Sequence, residues 1–199
     1  LKHQFLFKQG QYLTLRFVID HEDLRRSYSI VNAPSDKNPL LEVLVKKIDD
    51  GRVSKFIYEN IKEGDEIEVL APQGHFYTHY HPSNQKTYVG IAAGSGISPV
   101  LSNVIEALYQ EPQSNAYLFF SNRSNQDTIF KDRINALENQ FQGRLKVVYL
   151  FSREKHESDS LFEGRITSDK LNHLLKYFSE IQVQEATYFI CGPTAMIKS

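Results

Sequence analysis

Ten residues near the middle of the chain have the types and spacing to hold a phosphate: Gly90-Ile91-Ala92-Ala93-Gly94-Ser95-Gly96-Ile97-Ser98-Pro99. They close an apolar strand and open an amphipathic helix. Glycines at 94 and 96 let the backbone turn sharply and approach a ligand. The first amides of the helix, at the positive end of its dipole, suit a pyrophosphate. Ser98 is expected at the N-cap and Pro99 at the first helical position, where a missing amide hydrogen costs nothing. Pro99 stands where the usual dinucleotide fingerprint has its third glycine, so a glycine-rich turn without a ligand remains the plain alternative. Ser95 lacks glycines two residues before and after it, which excludes a hydrolase nucleophile elbow. Cys191 has no base partner in sequence and reads as a small apolar residue rather than a nucleophile. His75, His79 and His81 lack a fourth ligand at metal-site spacing, and no metal is assigned.

The elements that must position these residues fall into two grammars. Up to about Phe76 the hydrophobic period is two, with strands expected over Gln11 to Ile19, Arg26 to Val31, Leu40 to Ile48 and Glu66 to Leu70. Asn32-Ala33-Pro34-Ser35, Asp49-Asp50-Gly51, Glu63-Gly64-Asp65 and Pro72-Gln73-Gly74 punctuate them, and one short helix is expected near Ser54 to Asn60 with Ser54 as its cap. This half reads as a small antiparallel barrel. Beyond the polar linker His81 to Gln85, strands at Tyr88 to Ala93, Tyr117 to Phe120, Leu145 to Phe151 and Thr187 to Cys191 alternate with helices. The helices are striped by Val100, Leu101, Val104, Ile105 and Leu108, by Phe130, Ile134, Leu137 and Phe141, and by Leu171, Leu174, Leu175 and Phe178 after a Thr167 cap. That alternation predicts a parallel sheet covered on both faces, in the Rossmann-like α/β manner. The expected division is residues 1–83 and 84–199.

Composition narrows the function classes. The 199 residues are 41% hydrophobic and 24% charged, with a net charge of −1. Balanced charge leaves no field to gather nucleic acid or an anionic membrane, and no apolar run approaches the ~20 residues a span requires. A single cysteine can neither close an internal disulfide nor hold a four-thiolate iron–sulfur cluster. A reducing, cytoplasmic compartment fits. The chain starts at Leu1 inside an alternating pattern and stops at Ser199 as a helix begins, so both ends are expected to be cut.

The order of short motifs resembles the ferredoxin–NADP reductase superfamily over essentially the whole chain. Arg26-Ser27-Tyr28-Ser29 is similar to its flavin-binding strand, and Gly94 to Pro99 to its pyridine-nucleotide loop. Cys191-Gly192-Pro193 is similar to its nicotinamide turn. Gly51-Arg52-Val53-Ser54 resembles the flavin pyrophosphate turn and Pro72 to Phe76 the end of the barrel. In texture the chain resembles the reductase components of phenylacetate-ring oxygenation systems, in which a [2Fe–2S] domain follows this two-domain module. The resemblance implies an FAD-binding barrel, an NAD(P)-binding α/β domain and an iron–sulfur domain or oxygenase component as electron acceptor. It implies that Arg26 pairs with flavin pyrophosphate, Tyr28 lies on the isoalloxazine and Ser29 donates near N5. Val45 and Lys46 would meet the flavin edge by their backbone, and Gly51, Val53 and Ser54 would hold phosphate. Gly94, Ser95, Gly96, Ser98 and Pro99 would hold the nucleotide, and Cys191, Gly192 and Pro193 would flank the nicotinamide. Other readings stay open: the reductase half of a flavohaemoglobin, a free flavin reductase, or a non-catalytic FAD-binding subunit.

After the second strand of the α/β half the chain reads Ser121-Asn122-Arg123-Ser124, without the acidic residue that bonds a ribose 2′-hydroxyl. Asn122 and Arg123, with Ser152 and Arg153 after the third strand, are therefore expected at the far end of the nucleotide. Arg123 points to NADPH over NADH.

Overall fold

The computed structural model describes residues 6–35, 40–154 and 160–198. Strand β1 (Tyr12–Ile19) turns directly into β2 (Glu22–Ser29) through Asp20 and His21, both left-handed at φ 52° and 65°. Two consecutive positive φ values match the twist a two-residue hairpin needs. The pairing runs from Ile19 opposite Glu22 to Tyr12 opposite Ser29. The first four residues of β2 are charge-rich and carry little strand signal. Their place is set across the ladder: Arg16 of β1 bonds Asp23 at 3.1 Å and Glu68 at 2.6 Å, on the exposed face. Glu68 belongs to β3 (Glu68–Val69), which flanks β1 on its other side. On the inner face Leu13, Leu15 and Phe17 pack with Ile30 and with Val53 of α1 (Arg52–Asn60).

Three local expectations are corrected. The segment 40–48 is not a strand; Val43 forms an isolated bridge with Ile30, and the Val31 amide donates to the Glu42 carbonyl at 2.8 Å. Alternation gave the right half-buried face there without the partner that makes a ladder. Helix α1 begins at Arg52 with Gly51 as its cap, and the buried Ser54 hydroxyl instead donates to the Gly51 carbonyl and accepts from the Ile48 amide, both at 3.2 Å. Those bonds hold the Asp49-Asp50-Gly51 turn closed. Ser98 likewise is not a cap: a single 3₁₀ turn, Gly94–Gly96, runs straight into α2 (Ile97–Gln110), leaving Ser98 and Pro99 inside the first helical turn. Pro99 still sits where no amide partner is lost.

The second sheet is parallel in the order β6-β5-β4-β7: β4 (Thr87–Ala93), β5 (Asn115–Asn122), β6 (Leu145–Phe151) and β7 (Thr187–Cys191). Its strands are apolar nearly throughout because both faces are covered. Helices α2 and α3 (Lys131–Gln140) bury Tyr88, Leu118 and Phe120 on one side, and α4 (Ser168–Tyr177) buries Val89, Ile91 and Phe119 on the other. Thr167 caps α4 as expected, accepting from the Lys170 amide at 3.3 Å. A short α5 (Thr194–Ile197) follows β7. Among the described residues no helix is long and apolar enough to cross a membrane.

Helix α2 departs most from its sequence pattern. Every residue from Ile97 to Leu108 is buried, including Ser102, Asn103 and Glu106. The side that reads as solvated is covered by the antiparallel half. Ser102 donates to the Asn32 carbonyl at 2.9 Å, and Glu106 accepts from the Ser35 amide at 2.8 Å and its hydroxyl at 3.0 Å. Just past α2, Glu111 is fully buried yet accepts from the Tyr88 hydroxyl (2.8 Å), the Ser114 hydroxyl (2.7 Å), the His81 amide (3.0 Å) and the Asn84 amide group (2.5 Å).

Candidate functional site

Chain order fixes where a ligand can sit. The path runs outward from β4 through β5 to β6 and then returns to β7 on the other side of β4. The crevice between the carboxyl ends of β4 and β7 is the switch point, where open α/β sheets bind ligands. There the loop Gly94–Gly96 meets the turn Cys191-Gly192-Pro193. Gly94 adopts φ +55°, a conformation that disfavours side chains. Gly96 packs so tightly that a Cβ on it would lie 2.6 Å from the Cys191 carbonyl carbon and 2.8 Å from the Gly192 nitrogen. Two turns separated by about half the chain are thus locked backbone to backbone.

Across the crevice lies the end of β2. One open cavity of about 400 Å³ is lined from that side by Ser27, Tyr28, Ser29, Leu44 and Lys46, and from the other by Ala93, Gly94, Ser95, Gly96, Ser98, Pro99 and the Cys191-Gly192-Pro193 turn. Three motifs predicted separately therefore share one space. The Lys46 ammonium reaches within 4.0 Å of where a Cβ on Gly94 would stand, closing the gap between halves. Ser27, Leu44 and Ala93 were not anticipated. Ser27 lies inside the Arg-Ser-Tyr-Ser signature, and the other two adjoin predicted residues, so adjacency was their signal.

The remaining predicted residues divide. Arg26 is exposed at the cavity's edge strand and donates to the Arg25 carbonyl at 2.7 Å; among the described residues no carboxylate pairs with it. Val45 is half-buried outside the cavity lining. Val53 is a core residue, the Gly51 amide donates to the Ile48 carbonyl at 2.9 Å, and Ser54 is engaged on both sides. The Gly51 amide and the Ser54 hydroxyl are thus bonded within their own turn, and the amides of the first α1 turn, that of Val53 among them, lie outside the helical ladder. Asn122, the last residue of β5, lies with Arg123, Ser152 and Arg153 at the carboxyl ends of β5 and β6. The Ser152 amide donates to the Asn122 carbonyl at 3.0 Å and the Arg153 amide to the Arg123 carbonyl at 2.8 Å. Ser152 and Arg153 line a second open cavity of about 520 Å³ with Glu163, Gly164 and Lys170. The Asn122 side-chain nitrogen is buried without a partner among the described residues. Lys170, which sequence did not single out, donates to the carbonyls of Ser160, Leu161 and Glu163 at 2.8–3.2 Å.

Burial pushes the Cys191 thiol up, so it stays protonated at neutral pH and is a poor nucleophile. Burial likewise raises the Tyr28 phenol, partly opposed by the nearby Arg26 guanidinium, which keeps Tyr28 a neutral aromatic surface. Among the described residues no cluster of metal-ligating side chains forms, and His81 bonds Ser83 at 2.8 Å. The site offers no nucleophile–base pair. It offers glycine amides, a helix start, cations and a flat aromatic face: a place to bind and align two planar, phosphate-bearing groups.

An antiparallel half carrying an aromatic and arginine strand, docked on a parallel sheet with a phosphate loop at its switch point, defines a two-domain flavin and pyridine-nucleotide oxidoreductase. The chain belongs to that class: residues 91–199 match the oxidoreductase NAD-binding domain family and residues 1–77 the oxidoreductase FAD-binding domain family. It is 38% identical over 199 residues to a component of 1,2-phenylacetyl-CoA epoxidase from Escherichia coli, covering 99% of this chain and 54% of that protein. It is 32% identical over 195 residues to the ferredoxin reductase component of 3-ketosteroid-9-alpha-monooxygenase of Rhodococcus rhodochrous, covering 97% and 50%. The chain thus spans about half the length of these curated relatives. Its fold matches a ferredoxin NADP+ reductase from Neisseria gonorrhoeae solved with FAD and NADP, at TM-score 0.75 and 24% identity, over 100% of this chain and 78% of that one.

Proposed function

We propose that this chain is the flavin- and nucleotide-binding unit of an NAD(P)H-dependent reductase that delivers electrons to an iron–sulfur domain or oxygenase component, dividing near residue 83 into its two binding halves. One observation carries the reading: Tyr28 and Ser29 from one half and Gly94, Ser95, Gly96, Ser98, Pro99 and Cys191 from the other line a single cavity. The similarity to a phenylacetyl-CoA epoxidase component supports an oxygenase acting on phenylacetate-type substrates as the acceptor system.

The residues present fit FAD. Arg26 has no carboxylate partner among the described residues and offers a charged fork to pyrophosphate. The Tyr28 ring supplies a face for the isoalloxazine, Ser29 a hydroxyl near N5, and Val45 and Lys46 backbone groups for its polar edge. The first α1 turn around Val53 supplies amides. When bound, the flavin supplies the exchange between a two-electron hydride from nicotinamide and single electrons for the acceptor. The protein's work is alignment. Gly94, Ser95, Gly96, Ser98 and Pro99 hold the nucleotide pyrophosphate, and the half-buried Cys191, with Gly192 and Pro193, keeps water and bulk away from the nicotinamide. Purified chain incubated with FAD is expected to turn yellow and retain the colour through gel filtration, then bleach when NADPH or NADH is added anaerobically. Failure to retain flavin defeats the reading; retention without bleaching leaves only a flavin-binding protein.

Arg123, with Ser152, Arg153 and Asn122 beside it, sets the nucleotide choice in this reading. Wild type is expected to favour NADPH in kcat/KM, and Arg123→Ala to lower the NADPH-to-NADH ratio ~10-fold or more, the worth of one charge-assisted hydrogen bond to a phosphate. An unchanged ratio would remove Arg123 from that role.

A further inference from the structure

The two cradles are useful only if their separation is held to a fraction of an ångström, and a loop that merely binds the nucleotide does not fix where the flavin half stands. The groups that can fix it lie on the face of α2 that points away from its own sheet. Asn103 is completely buried there. Its side-chain nitrogen donates at 2.9 Å to the Phe76 carbonyl, at the end of the antiparallel half, and at 2.9 Å to the carbonyl of Pro99. Its side-chain oxygen accepts from the Tyr80 hydroxyl at 3.2 Å, and the same hydroxyl reaches its backbone carbonyl at 3.0 Å. One side chain thus joins the nucleotide loop's last residue to the flavin half's last segment, with both of its polar atoms used.

The surroundings reinforce the bridge. The Phe76 ring meets Phe189 edge-on at 6.0 Å, and Phe189 lies two residues before Cys191 on β7. The Gly10 turn presses so close that a Cβ there would stand 2.6 Å from the Asn103 side-chain nitrogen. The neighbouring Ser102 hydroxyl accepts from the Gly10 amide at 3.3 Å and donates to the Asn32 carbonyl, three residues past the end of β2. Both halves are therefore tied to the same turn of α2.

We infer that Asn103 is a positioning residue for the reaction, setting the distance between the nucleotide loop and the flavin-facing strand through its paired bonds to Pro99 and Phe76. The inference rests on the proposed reductase reading. Asn103 lines neither cradle, so its loss should spare binding and damage alignment. Displacement of about 1 Å in such geometry costs ~100-fold in rate.

FAD-loaded Asn103→Asp keeps the side chain's size while replacing the donor nitrogen with an acceptor that faces two carbonyls. In anaerobic rapid mixing, it is expected to bleach at a limiting rate ~100-fold below wild type. Its nucleotide dissociation constant should stay within about threefold, and the long-wavelength absorbance band of a nicotinamide stacked on flavin should be lost. A wild-type limiting rate with an intact band overturns the inference, as does a slow rate accounted for wholly by weaker nucleotide binding. If Asn103→Asp does not hold FAD, Tyr80→Phe decides by the same readouts: it removes the hydroxyl that reaches both the side-chain oxygen and the backbone carbonyl of Asn103 but spares the bonds to Phe76 and Pro99, and is expected to give a smaller rate loss with a weakened band, and unchanged values overturn the proposal. Wild-type protein that holds FAD but bleaches with neither nucleotide defeats the underlying reductase reading, and this inference with it.

Discussion

Gly96→Ala is expected to abolish nucleotide-driven bleaching of the FAD-loaded chain, by ~100-fold or more in kcat/KM, while the protein still takes up flavin. The added methyl would occupy space 2.6 Å from the Cys191 carbonyl carbon and 2.8 Å from the Gly192 nitrogen. Backbone cannot yield there as a long side chain would, so either the 3₁₀ turn lifts off or the Cys191-Gly192-Pro193 turn is pushed back. Either movement pulls apart the two walls against which nicotinamide and pyrophosphate would lie, and misplacement of that order is worth about two powers of ten. Overpacking also costs about 1–3 kcal/mol of stability. The flavin half shares none of those atoms, so its binding survives. Flavin retention measured beside bleaching separates this outcome from general unfolding; retained nucleotide-driven bleaching would show that the turns are not locked.

Glu111→Ala carries the largest expected stability cost, about 3–5 kcal/mol, or roughly 10 °C in melting temperature for a chain of this size. The carboxylate is buried and receives donors from Tyr88, Ser114, His81 and Asn84; truncation removes the acceptor they share at the junction between linker and sheet, and among the described residues Ser114 alone retains another, the Asn84 carbonyl at 3.2 Å. Burial alone would raise its pKa, but the bonds from Ser114, Asn84, the His81 amide and Tyr88 outweigh it and hold the group below the ordinary carboxylate range. Because the folded value is depressed, the contribution is complete above that range and disappears as pH falls through the folded value. Wild type should therefore lose stability on acidification in thermal melts, and Glu111→Gln should show a shallower loss over the same interval. Parallel acid profiles for the two proteins would remove Glu111 as the linked group.

Much of this was readable from sequence because the relevant signals are local. Val89, Ile91, Leu118 and Phe120 announce strands buried on both faces, and Thr167 announces its helix. Gly94 and Gly96 announce a turn that admits close approach. Signals that depend on a distant partner were not readable. Glu22 to Arg25 form strand because Arg16 and the Asp20-His21 turn place them there, not because their side chains favour it. The segment 40–48 alternates well yet finds a single bridge. Ser102, Asn103 and Glu106 look like a solvated helix face, and only docking of the other half turns them into the buried interface. Glu111 stands in sequence as the residue before a proline that stops a helix, with no hint of its four donors. In the site, the glycine loop, the Tyr28 strand and the Cys191 turn line one cavity, and the Ser54 hydroxyl bonds the carbonyl of Gly51 within its own turn.

In the proposed reductase a reduced nicotinamide lies directly against the flavin between Tyr28 and Cys191. Transfer from a nucleotide deuterated at carbon 4 tests this most directly. With FAD-loaded protein mixed anaerobically, deuterium on one face of the ring should slow bleaching severalfold and deuterium on the other face should leave it unchanged, since only one face can meet the flavin in a fixed cleft. Equal rates for both deuterated forms and the unlabelled nucleotide, or no bleaching at all, would contradict it.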